Sequence, residues 1–170
     1  MDPWDFFSNL FATLIGVLIG IPVALWVDRL TSSSHQRAQA KRILTAISDE
    51  LTHNLGLLKQ MRNELQKNVI FYNLDLSAWL ATTSRGLESL RNYDLVRQVS
   101  SLYYEFQHLS RKVDVQFQMH YSTLLTSPNY NEIRSSLVGP IVAHAAQLEK
   151  TTSEVMLIVK KELEDLNKDP

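Results

Sequence analysis

An uncharged run of 22 residues, from Phe6 to Val27, dominates the pattern of hydrophobic and polar positions along the chain. At a rise of about 1.5 Å per residue, a helix of that length spans roughly 33 Å, enough to cross the hydrocarbon core of a bilayer. Trp4 and Trp26 flank the run, where amphipathic rings prefer the headgroup level. The run therefore predicts a transmembrane helix over residues 6–27. A cleaved signal peptide is disfavoured because acidic residues, and no basic ones, precede the run.

Small residues recur every four positions along this run. They are Ser8, Ala12, Gly16, Gly20 and Ala24. Because residues four apart form one ridge of a helix, these positions leave a shallow groove that a second helix backbone can approach closely. The row therefore predicts helix–helix contact between copies of the chain inside the membrane. Pro22 removes one backbone donor within the run and predicts a kink.

The charges beside the run predict its orientation. Asp2 and Asp5 precede it, whereas basic residues follow it. These are Arg29, Arg37, Lys41 and Arg42. The positive-inside bias places residues 1–5 outside and the rest of the chain in the cytoplasm, with the cell inner membrane as the expected location.

Asp28 and Arg29 close the predicted span at its cytoplasmic end. Asp28 falls four residues after Ala24 and so continues the row of small residues. In a ring of helices, Asp28 would form a ring of acceptors at the mouth of a pore, an arrangement that favours cations. An ion pair between helix ends of neighbouring copies fits the pattern equally well.

Beyond the span, apolar residues recur at alternating spacings of three and four, which is typical of the seam of a helical bundle. One long helical pattern is predicted from Leu30 to about Lys67, and another from Asn92 to about Leu125. Residues 28–43 are a juxtamembrane helix or a linker, so the membrane helix either continues into the first pattern or is separated from it. The seams of the two patterns are Leu44, Ile47, Leu51, Asn54, Leu58, Met61 and Leu65 in the first, and Leu95, Val99, Leu102, Phe106, Leu109 and Val113 in the second, which Tyr103, Tyr104 and Phe117 thicken. Asn54, the one amide in these seams, either fixes the register between helices or is a core group whose hydrogen bonds are satisfied.

Shorter elements complete the predicted bundle. A short helix is predicted over residues 77–90, and residues 127–129 end the second long helix, since the residue before a proline avoids the α region. The Gly139–Pro140 pair predicts either the start of the last helix or a kink. The face of that helix carries Val138, Val142, Ala145, Met156, Val159, Leu163 and Leu166. The fold class is therefore all-α: a single N-terminal transmembrane helix, then an antiparallel cytoplasmic bundle of about four helices over residues 44–166, and a tail at 167–170.

Composition and charge exclude several function classes. The 170-residue chain has a formal net charge of −1 and no cysteine, so it lacks the basic field of a DNA-binding protein, disulfides and any thiolate metal site. The sequence has no Gly-rich phosphate loop and no Ser/His/Asp set in a strand–turn–helix context. We therefore expect no enzyme, no cofactor and no DNA partner.

Two helical motifs have the spacing of metal ligands. Glu50-x-x-His53 and Glu105-x-x-His108 match the pairs that di-iron helical bundles use, with Glu88, Glu149 and Glu154 as the possible further ligands. At 100° per residue, however, both histidines fall roughly 160° from the middle of their apolar seams. They are therefore expected to face water, and the sequence predicts no metal site.

The span FFSNLFATLIGVLIGIPVALWVDR, followed by a helical remainder, resembles small membrane proteins of bacterial antiviral systems. The nearest family is the CRISPR accessory membrane protein that accompanies RNA-targeting type VI effectors. The resemblance covers the architecture of the whole chain, and it implies a membrane helix plus a HEPN-like bundle that assembles into a ring-shaped pore. HEPN ribonucleases pair an arginine with a histidine that follows it after four to six intervening residues. Only Arg29 and His35 have that spacing here, and their place beside the membrane favours a charged anchor.

The expected function is therefore a self-assembling single-pass membrane protein that forms an oligomeric pore or channel-like assembly, as an effector or accessory in bacterial antiviral defence. Its expected partners are other copies of itself and the lipid bilayer. A membrane-anchored adaptor, whose bundle binds a cytoplasmic defence protein or a nucleotide signal, is the alternative. A HEPN-type ribonuclease is a third hypothesis.

Overall fold

The computed structural model describes the backbone of residues 3–65, 67, 73–121 and 128–168. Side chains are described in these ranges from residue 21 onward, apart from residues 24, 28–31 and 85. Every regular element in the described ranges is a helix, which confirms the all-α prediction. The elements are α1 (Pro3–Glu64), α2 (Ser77–Arg85), a 3-10 turn (Leu87–Ser89), α3 (Tyr93–Tyr121) and α4 (Tyr130–Lys168).

The chain divides into two compact units, residues 1–39 and 40–170, and α1 contributes residues to both. Within the part of the chain whose side chains are described, no helix is both long enough and apolar enough to cross a membrane. Most side chains of the proposed span, those of residues 6–20 and 24, lie outside that part. The transmembrane helix therefore stays a prediction.

In the second unit, α2 runs antiparallel to the end of α1. The Asn54 side chain contacts the backbone of Asp75, and Glu50, one turn earlier in α1, contacts Ala78, one turn later in the chain. An earlier residue of α1 therefore contacts a later residue of the α2 region, which is the order expected of antiparallel segments. This short helix occupies the place of one bundle member beside α1.

The two long helices α3 and α4 are also antiparallel. Asn92 at the start of α3 donates a hydrogen bond to Glu162 near the end of α4, and Lys112 near the end of α3 reaches His144 in the first half of α4. An ion pair joins Arg62 of α1 to α4. Three long segments and one short helix therefore form the predicted antiparallel helical bundle.

The core lies where the predicted seams meet. All thirteen seam positions of α1 and α3 are buried, including Asn54, which confirms both seams. Tyr103 is buried as expected, and its ring stacks on that of Trp79 with a centroid distance of 5.3 Å. Phe106 meets the Tyr103 ring edge-on, with a centroid distance of 5.5 Å. Tyr104 is instead exposed, because one residue further on places its ring about 100° around the helix.

All seven predicted residues of the last helix's face belong to the core or pack against it, although only Val138, Ala145 and Val159 are themselves buried. Pro140 lies inside α4, so the helix does not begin there and one apolar pattern continues from Tyr130 onward. Four predicted members, Val142, Met156, Leu163 and Leu166, are only partly buried. The buried positions are Val138, Ile141, Ala145, Leu148, Thr152, Val155 and Val159.

Gly56 offers a simple test of the exposed side of α1. A Cβ built on Gly56 meets no atom within 4 Å. Because glycine loses more backbone entropy than alanine in a helix interior, Gly56→Ala is expected to raise the free energy of unfolding by about 0.5–1 kcal/mol. Thermal unfolding of the solubilised chain, followed by circular dichroism, measures this change.

The matched control for this prediction is Ala46→Gly at another exposed position of α1, which is expected to lower stability by a similar amount. A loss of stability in Gly56→Ala would contradict an open surface at this turn of α1.

Candidate functional site

A cluster of polar side chains lies on the surface of the bundle where α3 and α4 pack together. The Nε2 atom of His144 lies 3.1 Å from Oε2 of Glu105, and its Nδ1 atom lies 3.4 Å from Nζ of Lys112. The ring of His108 meets that of His144 edge-on, with a centroid distance of 5.9 Å. One ligand atom from each of Glu105, His108 and His144 lies within 4.8 Å of the other two.

Helix geometry explains why these side chains converge. Glu105 and His108 are three residues apart and therefore share one face of α3. That face borders the seam, so Glu105 is partly buried while His108 is exposed, as its angle from the seam predicts. His144 precedes the buried Ala145 of α4 and stands at the edge of the opposing seam.

The surroundings of His144 set its charge and its tautomer. Burial is the largest cause that lowers the pKa of His144, the Lys112 ammonium lowers it further, and the Glu105 carboxylate opposes both. The ring is therefore neutral at neutral pH. Lys112 can only donate and an ionised Glu105 can only accept, so Nδ1 of His144 accepts a hydrogen bond and Nε2–H donates one.

This cluster forms part of the wall of a groove between α3 and α4. The groove has a volume of about 540 Å³. Both Glu105 and His144 line it, together with Gln98, Gln147 and Glu154. Such a lining offers carboxylate, imidazole and amide groups to a small polar ligand or a cation.

A second polar cluster lies deeper, where α1 meets the start of α2. Glu50 is buried, and its Oε2 atom accepts hydrogen bonds from the Ala78 N–H at 2.6 Å and the Ser77 hydroxyl at 3.1 Å. Burial, followed by the neighbouring Glu50 carboxylate, raises the pKa of Tyr103. Glu50 thus points inward while His53 is exposed, so this Glu-x-x-His pair does not converge on one ligand site.

The segment before α2 is held by an amide and a carboxylate. Asn54 donates to the carbonyl of Asp75 at 2.7 Å and accepts from the Asp75 N–H at 2.8 Å. The carboxylate of Asp75 accepts from the Ser77 N–H, and this bond is the main reason that the pKa of Asp75 is lowered. The Asn54 amide is therefore a core group whose hydrogen bonds are satisfied, as one of the two interpretations of the sequence predicts, and it holds the segment around Asp75 against α1.

The predicted membrane site lies largely outside the described residues. No side chain is described for the helix-contact positions Ser8, Ala12, Gly16, Gly20 and Ala24, or for Asp28 and Arg29 at the predicted pore mouth. Pro22 lies inside α1 and is exposed, and the kink there stays a prediction. His35 is exposed in the first unit.

Sequence reasoning missed His144 as a partner of the Glu105-x-x-His108 pair. A signal was present, since antiparallel α3 and α4 joined by a short connection bring the first half of α4 opposite the second half of α3. The histidine on α4 has no Glu-x-x-His spacing of its own, so no local motif marks it.

Comparison with protein-family models, characterised proteins and solved structures finds no match for this chain. The class of the protein therefore rests on its own structure. It is an all-α protein with a helical bundle over its second unit and a surface Glu/His cluster between two helices of that bundle.

Proposed function

We propose that this chain is a single-pass membrane protein that assembles through its N-terminal helix into an oligomeric pore. The observation that carries the proposal is the exposure of apolar side chains in the first part of α1. Five large apolar residues are half or more exposed, namely Ile21 (56%), Val23 (52%), Leu25 (58%), Trp26 (64%) and Val27 (50%).

These five positions are spread around the whole circumference of the helix at 100° per residue. A helix that is apolar on every side needs an apolar environment, which is either lipid or other helices. Within the described residues of this chain no such environment covers them. The uncharged sequence of residues 6–20 extends the same character over the length of a membrane span.

The row of small residues supports association between copies within the membrane. Lipid does not drive apolar helices together, whereas small residues permit close backbone contact. We propose the row from Ser8 to Ala24 as that contact, with Asp28 and Arg29 at the cytoplasmic mouth of the assembly. The helical bundles then lie in the cytoplasm and hold the ring together, consistent with the architectural resemblance to pore-forming accessory proteins of antiviral systems.

The test replaces two residues of the row. Gly16→Ile combined with Gly20→Ile places branched side chains in the helix contact and is expected to reduce the assembly to monomers. Light scattering of the detergent-solubilised particle measures its mass, and dye release from vesicles of phosphatidylethanolamine and phosphatidylglycerol measures permeability. The double variant is expected to lose dye release.

The matched control is Leu14→Ile combined with Leu18→Ile, which has the same spacing on the opposite side of the helix and is expected to keep both mass and dye release. A monomeric wild-type particle that leaves vesicles sealed would overturn the pore and favour the membrane-anchored adaptor. A chain that stays in solution without detergent or vesicles would overturn the membrane anchor itself.

A further inference from the structure

The Glu105/His108/His144 cluster has a donor set that the proposed membrane function does not use. Two imidazoles and one carboxylate converge from two helices of the bundle. These groups suit zinc and its neighbours among the divalent transition metals, whereas magnesium and calcium prefer oxygen ligands throughout. We propose that the cluster binds a single Zn²⁺ ion or a chemically similar divalent ion.

The distances allow the ion to bind with small movements of exposed side chains. Zinc ligands at about 2.0–2.1 Å in a tetrahedral site stand roughly 3.4 Å apart. Glu105 and His144 already lie 3.1 Å apart, while the full set spans up to 4.8 Å. His108 is exposed, so rotation of its side chain closes the remaining gap without disturbing the core.

Three protein ligands leave one coordination position for water or another ligand. Two of the three, Glu105 and His144, line the groove of about 540 Å³ between α3 and α4. The open position therefore adjoins the groove, whose lining includes Gln147, one turn after His144 on α4. Because the ligands come from both helices, the ion also ties α3 to α4.

Lys112 makes a distinctive prediction about affinity. When Nε2 of His144 binds a metal, the proton of the neutral ring sits on Nδ1, which now faces the Lys112 ammonium 3.4 Å away. Two donors then oppose each other, and Lys112 has to swing away. Metal-bound histidines usually donate this second N–H to an acceptor. Lys112→Gln supplies an amide oxygen and removes the positive charge, so this variant should bind the ion more tightly.

The experiment uses the full chain, solubilised in detergent and purified without a polyhistidine tag. Titration with Zn²⁺ is followed by calorimetry, and titration with Co²⁺ by its visible absorption, which reports the coordination geometry. One ion per chain is expected. Glu105→Gln, His108→Ala and His144→Ala should each weaken binding about 10-fold or more, and Lys112→Gln should strengthen it about 10-fold.

His53→Ala is the matched control, because His53 belongs to the other Glu-x-x-His motif and is exposed like His108. Its metal affinity should equal that of the wild type. His108→Ala removes only an exposed side chain, so its loss of binding cannot arise from unfolding, and unchanged circular dichroism checks this.

Three results would overturn the proposal. They are no saturable Zn²⁺ binding by the wild type, wild-type affinity in both histidine variants of the cluster, and an equal loss in His53→Ala. Unchanged affinity in Lys112→Gln would overturn the assignment of Nε2 of His144 as a ligand atom. None of these results depends on whether the chain forms a pore, because the site lies wholly within the second unit.

Discussion

Asn54→Asp is expected to destabilise the bundle by about 3 kcal/mol, although the two side chains have nearly the same shape. Asn54 is fully buried, and its NH₂ group donates to the carbonyl of Asp75 at 2.7 Å. The substitution places a carboxylate oxygen against that carbonyl oxygen and buries a charge without a partner. Thermal unfolding of the solubilised chain should show a clearly lower midpoint, by about 2–4 °C for each kcal/mol.

Two comparisons make this result specific. Asn63→Asp, at an exposed position of the same helix, is expected to change stability by no more than about 0.5 kcal/mol. Protonation of the new carboxyl restores a donor toward the Asp75 carbonyl, so the deficit of Asn54→Asp should shrink as the pH is lowered toward about 4. A deficit equal to that of Asn63→Asp at neutral pH would show that the paired bonds to Asp75 do not hold this loop.

The seams of α1 and α3 could be predicted from sequence because their periodicity is long and unbroken. The spacings of three and four directly predict which residues are buried, namely the seam positions between Leu44 and Leu65 and between Leu95 and Val113. In α4 the same reasoning found residues that pack against the core but omitted four buried ones, Ile141, Leu148, Thr152 and Val155. Gly139 and Pro140 interrupt the local signal there without ending the helix. Proline lacks one backbone donor, which is a cost that packing against the rest of the bundle outweighs here.

Polar residues were harder to predict, since their partners are distant in sequence. The sequence pairs Glu50 with His53 by spacing alone, yet the Glu50 carboxylate points inward, where it accepts a hydrogen bond from the Ala78 N–H at the start of α2. Similarly, only the antiparallel packing of α3 on α4 brings His144 to Glu105. A search for spaced motifs along one helix finds half of such a site and omits the member from the other helix.

The sequence is informative in different ways about the two units. The apolar run of the first unit predicts a membrane environment, and five large apolar side chains at its end are half or more exposed: Ile21, Val23, Leu25, Trp26 and Val27. The second unit is a bundle whose core explains its fold but not its surface chemistry. The Glu/His cluster lies wholly within the second unit, so the test of the proposed metal site does not depend on the proposed pore.

Glu50→Ala is expected to destabilise the bundle by about 2–4 kcal/mol, because it detaches α2 from α1. A helix of nine residues is marginal by itself, and its first N–H groups have no partner within the helix. Leu76 at the N-cap position provides no side-chain acceptor, so the buried carboxylate of Glu50 takes that role for Ala78. Removing it leaves the N–H of Ala78 unpaired and opens a space beside Tyr103.

Asp49→Ala is the matched control, since Asp49 is the neighbouring acidic residue of α1 and is exposed. It is expected to change stability by no more than about 0.5 kcal/mol. Glu50→Gln keeps an acceptor for Ala78 and should lie between the two variants, at about 1 kcal/mol. Hydrogen exchange should show faster exchange of the α2 amides in Glu50→Ala, while the α3 and α4 amides keep their protection. If Glu50→Ala instead speeds amide exchange by the same factor in α2, α3 and α4, then α2 opens only when the whole bundle unfolds. Glu50 would then stabilise the whole fold and not the attachment of α2 in particular.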